Sequence, residues 1–157
     1  MIIAATGHRP NKLGGYAPSV FDALVALAVG YIEEMKPTKG ISGMALGWDM
    51  AWAQALIHCR VPFIAAIPFV GQEAVWPYQS KNHYHSLLKK AETIYPVCPP
   101  GYAAWKMQKR NEWMVNQCDR LVALYDGTSG GTANCVGYAR KKQKDIDNLW
   151  DRWAKCH

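Results

Sequence analysis

Leu121-Val122-Ala123-Leu124-Tyr125-Asp126-Gly127-Thr128-Ser129-Gly130-Gly131-Thr132 is an apolar run that stops at a glycine-rich turn, with helix-forming sequence behind it. Ile2-Ile3-Ala4-Ala5, running into Thr6-Gly7-His8-Arg9-Pro10, repeats the plan at the other end of the chain. Glycine lets the backbone take positive φ and bring its N–H groups close to an anion, and a helix that follows aims its unsatisfied first donors at the same point. Two such turns, each placed after a strand, predict a nucleotide binder.

Between them the chain alternates. Residues 19–35 read as a helix with an apolar stripe of Val20, Leu24, Leu27, Tyr31 and Met35, opened by a Ser19–Asp22 cap and closed by Pro37. Residues 38–42 read as a short strand leading into Ser42-Gly43-Met44-Ala45-Leu46-Gly47-Trp48-Asp49 and an alanine-rich helix to about His58. Strands over 61–66, 93–97 and 119–125 then alternate with helices over 80–91, 103–117 and 131–144. The pattern predicts an α/β, Rossmann-like three-layer sandwich, with a mainly parallel five-stranded sheet and helices on both faces. Ligands of such sheets sit outside the carboxyl ends of the strands. The segments 6–10, 42–49, 68–77, 98–102 and 126–132 should therefore gather on one rim. Residues 1–140 are expected to form the nucleotide-binding domain and 141–157 a basic, Trp-containing C-terminal helical extension. Over 145–155, Ile146, Leu149, Trp150 and Trp153 fall at helical spacing, suited to docking on the same domain or on a neighbouring subunit.

A chain of 157 residues fits one domain that buries about 70% of its unfolded surface. Half of it is apolar and 19% charged, which excludes a disordered chain. The net charge of +6 suits an anionic partner, yet residues 140–157 alone hold six basic against three acidic side chains. Half of the excess thus sits in the tail, and a polynucleotide groove is not indicated. Five cysteines at long spacings, without a C-x-x-C pair, read as free thiols of a reducing cytosol. The start lacks the charge and length of a signal peptide, and no apolar stretch approaches the ~20 residues of a membrane span. A cytoplasmic protein is expected, without membrane contact. His83 and His85 stand two apart, so a helix separates them and no metal pair is expected. No cofactor is called for.

Arg9 and Arg110 are the cations expected to meet the ligand, because a planar guanidinium suits bidentate phosphate recognition. Ser129 and Thr132 offer hydroxyls beside the start of the last long helix. His8 either bonds phosphate or ribose or fixes its own loop, and Asp49 either contacts ligand or holds the Gly43–Gly47 loop. Trp76, Tyr102 and Trp105 follow strands and are candidates to stack on a base.

The motifs Thr6-Gly7-His8-Arg9-Pro10, Gly43-Met44-Ala45-Leu46-Gly47-Trp48-Asp49, Pro68-Phe69-Val70-Gly71-Gln72-Glu73 with Trp76-Pro77, Arg110-Asn111-Glu112-Trp113-Met114-Val115 and Asp126-Gly127-Thr128-Ser129-Gly130-Gly131-Thr132, in this order, together resemble the YpsA-like branch of the SLOG superfamily. The resemblance covers residues 2 to about 140. It implies a pocket for nucleotides or nucleotide-derived molecules, built from Thr6, Gly7, His8, Arg9, Gly43, Gly47, Asp49, Gln72, Glu73, Arg110, Asn111 and the run Asp126, Gly127, Thr128, Ser129, Gly130, Gly131, Thr132. It also implies self-association. Relatives in the superfamily include Lonely-Guy phosphoribohydrolases, Smf/DprA single-strand DNA binders and sensing domains for ADP-ribose derivatives.

The Lonely-Guy enzymes offer a residue-level comparison. Their catalytic arginine lies in a helix similar to Met107-Gln108-Lys109-Arg110-Asn111-Glu112-Trp113-Met114, whereas Asn134 and Cys135 stand where their two glutamates would fall. Glycoside cleavage needs a carboxylate for proton management or charge stabilisation. Binding without turnover of an ADP-ribose-type or cyclic nucleotide signal, by a sensor or a sequestering sponge, is therefore the favoured expectation. The alternatives are an N-glycoside phosphoribohydrolase using Arg110 with Glu73 or Asp126 as a substitute carboxylate, and single-strand nucleic-acid binding.

Overall fold

A computed structural model describes residues 1–156. Within them strands and helices alternate strictly: β1 Ile2–Gly7, α1 Pro18–Met35, β2 Lys39–Ser42, α2 Trp48–His58, β3 Phe63–Ile67, α3 Tyr78–Leu88, β4 Thr93–Pro96, α4 Ala104–Gln117, β5 Arg120–Leu124, α5 Gly131–Lys141, β6 Asp145–Asn148 and α6 Trp150–Cys156. A short 3-10 turn, Pro10–Lys12, lies between β1 and α1.

The strands form one parallel sheet in the order β4-β3-β2-β1-β5-β6. The chain winds outward from β1 to β4, then crosses back to lay β5 on the other side of β1, with Ile3 opposite Arg120 and Gly7 opposite Leu124. That reversal is a topological switch point. The loops leaving β1 and β5 run to opposite faces there and open a crevice between them.

Alternation along the strands divides the core. Ile3 and Ala5 join one apolar cluster with Leu24, Trp52, Leu56, Leu149 and Trp153, while Ala4, Leu121 and Ala123 join another with Met114, Val115, Cys135 and Val136. Small strand residues let the helices come close. A Cβ at Gly7 would collide with the Trp48 ring and one at Gly40 with Leu56.

The structure differs from expectation at two places. Helix α1 starts from Ala17 with Pro18 in its first turn, and no Ser19–Asp22 cap forms, because proline's fixed φ and missing N–H already suit a helix start. More consequentially, residues 145–155 are not one helix and the sheet has six strands, not five. Arg120 holds both Asp145 (3.4 Å) and Asp147 (3.1 Å), pinning β6 beside β5. Asn148 then stops the strand: its Oδ1 accepts from the Tyr125 and Trp150 N–H groups, and its Nδ2 donates to the Tyr125 carbonyl. Only from Leu149 onward does the helical spacing apply, and Leu149 and Trp153 bury against the α1 side of the sheet.

Candidate functional site

Helix α5 starts from Gly130 at φ +139°, after Gly127 at φ +93°. No side chain caps it and its first turn holds no acid. Its first backbone bond runs from the Asn134 N–H to the Gly130 carbonyl, so the N–H groups of Gly131, Thr132 and Ala133 precede any intrahelical acceptor. Such a start carries partial positive charge. It opens on a cleft of about 330 Å³ at the switch point, walled by Thr6, Gly7, His8 and Arg9 from the end of β1, by Asp49 of α2, by Arg110 and Asn111 of α4, and by Ser129, Gly130, Gly131 and Thr132.

The loops facing this cleft brace one another. His8 Nε2 lies 2.7 Å from Asp126 Oδ1, and the His8 ring stands edge-on to Trp150. Asp126 Oδ1 also accepts from the Thr128 N–H (2.9 Å) and hydroxyl (2.6 Å), and these bonds, with His8 adding to them, hold its carboxyl well below the usual range. Lys12 Nζ donates to Thr128 Oγ1 at 2.6 Å. His8 and Asp126 therefore fix the glycine turn.

Arg110 and Asp49 form the floor. Arg110 is 5% exposed; its Nη1 donates to the carbonyls of Gly43 (2.6 Å) and Ala66 (3.4 Å), and its Nε to Asn111 Oδ1 (3.1 Å). A Cβ at Gly43 would stand 2.6 Å from Arg110 Nη1, which explains glycine there. Burial lowers the Arg110 pKa while Asp49 raises it. Asp49, also 5% exposed, accepts from the Ala45 N–H through Oδ2 (3.4 Å). Burial pushes its pKa up to about 6, against the pull of Arg110, the Ala45 N–H and Arg9.

A second compartment of about 510 Å³ continues from the first across Arg9, Met107, Asn111 and Gly131. Gln72, Trp76, Tyr102, Gln108 and Asn134 wall it. Lys106 Nζ donates to the carbonyls of Pro99 (2.8 Å), Pro100 (3.2 Å) and Gly101 (2.7 Å), tying down the loop that presents Tyr102. Trp105 lies over Lys106 instead of in the compartment walls.

Several residues expected at the ligand are placed elsewhere. Glu73 does not wall either compartment, because its Oε2 is 2.7 Å from His85 Nε2 on α3. Asp126 turns its carboxylate into its own loop, and Gly127 and Thr128 are exposed without walling the cleft. Gly43 lies beneath Arg110, and Gly47 faces a separate, largely apolar hollow beside Pro10 and Phe21. Arg110 reaches the cleft but is also a structural member of it. The Cys135 thiol is buried and its pKa pushed up to about 12, which leaves no ready nucleophile at that position. Wall residues outside the segments expected from sequence include Asn11, Lys12, Ala104, Met107 and Gln108. Lys12 had a local signal, Pro10 starting a tight turn directly after Arg9, but its partner Thr128 lies 116 positions away. His83 packs edge-on against Phe21, away from His85. No helix among the described residues is long and apolar enough to cross a membrane.

Comparisons with known proteins agree with this architecture. The model of the YspA SLOG family matches residues 3–150. An uncharacterized SPbeta prophage-derived protein, YoqJ of Bacillus subtilis (strain 168), is 35% identical over 136 residues, covering 76% of this chain and 80% of that protein. A UPF0398 protein of Bacillus cereus (strain AH820) is 24% identical over 159 residues, covering 94% and 86% respectively. Among solved structures, DNA processing protein A from Helicobacter pylori, studied for its single-stranded DNA binding mode, superposes with a TM-score of 0.65 at 17% identity. That match covers 93% of this chain and 63% of the longer protein, and at such identity it speaks for the fold.

Proposed function

Since this chain belongs to the YspA SLOG family, we propose that it binds a nucleotide-derived small molecule, of ADP-ribose or cyclic-nucleotide type, without turning it over, as a sensor or sequestering sponge. The observation that carries the reading is the open start of α5, which faces a cleft also walled by Arg9, Lys12 and Arg110. Free backbone donors, a helix dipole and three cations at one point are the chemistry of phosphate recognition. The cleft continues into a compartment with two aromatic walls, which gives a nucleoside somewhere to go. Against turnover stand Asn134 and Cys135 in place of glutamates, the first exposed and the second buried as an inert thiol.

Asp49 sustains a second reading. It is the carboxylate that walls the cleft, and a pKa of about 6 suits proton transfer near neutrality, so an N-glycoside phosphoribohydrolase would use Asp49 in preference to Glu73 or Asp126. One experiment separates the readings. Purified protein is incubated with adenine and guanine nucleotides and ADP-ribose derivatives, and bound and free pools are identified by mass spectrometry. Ligand recovered intact supports the sensor or sponge. Free base with ribose phosphate, abolished by Asp49→Asn, supports the hydrolase. Single-strand DNA binding, described for the Helicobacter pylori neighbour, is checked in the same preparation by its salt dependence. Ile94 and Tyr95, exposed on the edge strand β4, support action as a homo-oligomer, which sedimentation measures directly.

A further inference from the structure

The floor of the cleft holds two buried charges that converge without neutralising each other. Asp49 and Arg110 are each 5% exposed, and a Cβ on Gly43 would stand 2.6 Å from Arg110 Nη1 and 2.9 Å from Asp49 Oδ2, so both side chains meet over that residue. No ion pair joins them. Asp49 uses Oδ2 for the Ala45 N–H, while Arg110 uses Nη1 for the Gly43 and Ala66 carbonyls and Nε for Asn111. Asp49 Oδ1 and Arg110 Nη2 are left without a protein partner, and neither is sealed from solvent as Gln72 Oε1 is. Both residues wall the cleft, so a ligand lying in it has access to the two atoms. Buried polar atoms are normally paired, and charged ones above all.

The two atoms demand opposite things. An ionised carboxylate only accepts and a guanidinium only donates. A phosphate oxygen would satisfy Arg110 and repel Asp49; an ammonium group would do the reverse. A hydroxyl serves both, since it donates its hydrogen and accepts on its lone pairs. Position selects the same group. The floor and the open start of α5 wall one cleft, and the aromatic compartment continues from it across Arg9, Met107, Asn111 and Gly131. With a phosphate at α5 and a ring against Trp76 or Tyr102, the part of a nucleotide that joins the two is its sugar.

The geometry points to a ribose subsite at Asp49 and Arg110: a sugar hydroxyl donates to Asp49 Oδ1 and accepts from Arg110 Nη2, so that the cleft selects ribonucleotides over their deoxy counterparts. This assignment rests on the nucleotide reading of the cleft and adds to it a preference set by one functional group. A ligand without the hydroxyl leaves both charges unpaired in the complex, and a site built to bond a hydroxyl rejects the analogue lacking it most strongly for that reason.

The test is titration calorimetry on the full chain at pH 7.5, above the value of about 6 at which Asp49 titrates, with ADP, 2′-deoxy-ADP and 3′-deoxy-ADP as ligands. Each deoxy ligand lacks one hydroxyl and keeps the base and both phosphates, so the pair tells which hydroxyl is read. ADP is expected to bind about tenfold more tightly, or better, than at least one of them. In Asp49→Ala that ratio should shrink to within about threefold, because the acceptor is gone. A merely structural role for Asp49 would weaken ADP and its deoxy analogues alike; an unchanged ratio in the variant overturns the assignment. Equal binding of all three ligands to the wild-type chain also overturns it and leaves the nucleotide reading standing. No binding of any of them overturns both. Should Asp49→Ala fail to fold for want of the Ala45 bond, Asp49→Asn, which keeps an oxygen for that N–H and loses the charge, carries the comparison with the same expected fall in the ratio.

Discussion

Helices α2 and α5 both start from a glycine at positive φ, Gly47 at +91° and Gly130 at +139°, directly after a strand and its loop. In the chain they look interchangeable, yet in the fold they are opposites. At α2 the Trp48 N–H bonds the His8 carbonyl, the Met50 N–H bonds the Ala45 carbonyl, and Asp49 supplies a carboxylate in the first turn. Every residue from Gly40 to Ala53 is buried. At α5 the residues from Gly127 to Gly131 are exposed, no side chain caps the helix, and no acid stands in the first turn. The α2 start is consumed by its own protein, whereas the α5 start stays open to the cleft. A glycine turn before a helix is thus a capacity for anion binding, and what the neighbouring backbone does with the donors decides whether the capacity is used.

Substitution at the two starts gives the sharpest contrast. A Cβ at Gly47 would lie 2.6 Å from the His8 carbonyl oxygen at a φ that disfavours side chains, so Gly47→Val should cost on the order of 3 kcal/mol or more in chemical denaturation. At Gly131 a Cβ meets nothing within 4 Å, so Gly131→Val should melt like the wild type. If both variants lose stability alike, the contrast fails. In binding the order reverses: Gly131→Val projects into the cleft and should weaken ADP ten- to hundredfold, the scale of about 1.5–3 kcal/mol typical of a lost charge-assisted contact.

Asp49 gives a smaller, pH-dependent effect. Its carboxyl titrates near 6 in the folded chain against an ordinary 3.8, so its contribution to stability is complete below about pH 4 and is lost as pH rises through 6. In the cleft the consequence for an anion has the same sign. ADP-ribose, whose pyrophosphate keeps its charge over this range, should bind several-fold more tightly at pH 5 than at pH 7.5, and Asp49→Asn should flatten that dependence. The smallest effect belongs to Lys12, an exposed cation whose bond to Thr128 steadies the turn. Lys12→Met should weaken ADP roughly threefold, most visibly at low salt.

The rim was legible because it depends only on the alternation of strands with helices, which apolar runs and glycines mark locally. What escaped was set by partners far along the chain or by the pleat of a loop. Strand β6 is four residues of mixed polarity, Asp145 to Asn148, and becomes a strand through Arg120 and the Tyr125 backbone. Glu73 and Gln72 are neighbours, yet after Gly71 at φ +95° one turns out to His85 and the other in to Gly43. Sequence placed both at the ligand; of the two, only Gln72 borders the second compartment. Arg110 was identified as a key residue, but its burial and its hold on Gly43 and Ala66 depend on β2 and β3 lying side by side.

Lys106 and Arg110 stand one turn apart on α4, the first gripping three carbonyls of the loop that carries Tyr102, the second anchoring the floor of the cleft. Four helical residues rise about 6 Å. Helix α4 therefore acts as a caliper whose jaws cannot open independently: a shift of the helix along its axis carries both jaws together, and the span from the cleft floor to the Tyr102 loop is gauged by a rigid rod and not by the slack of a loop.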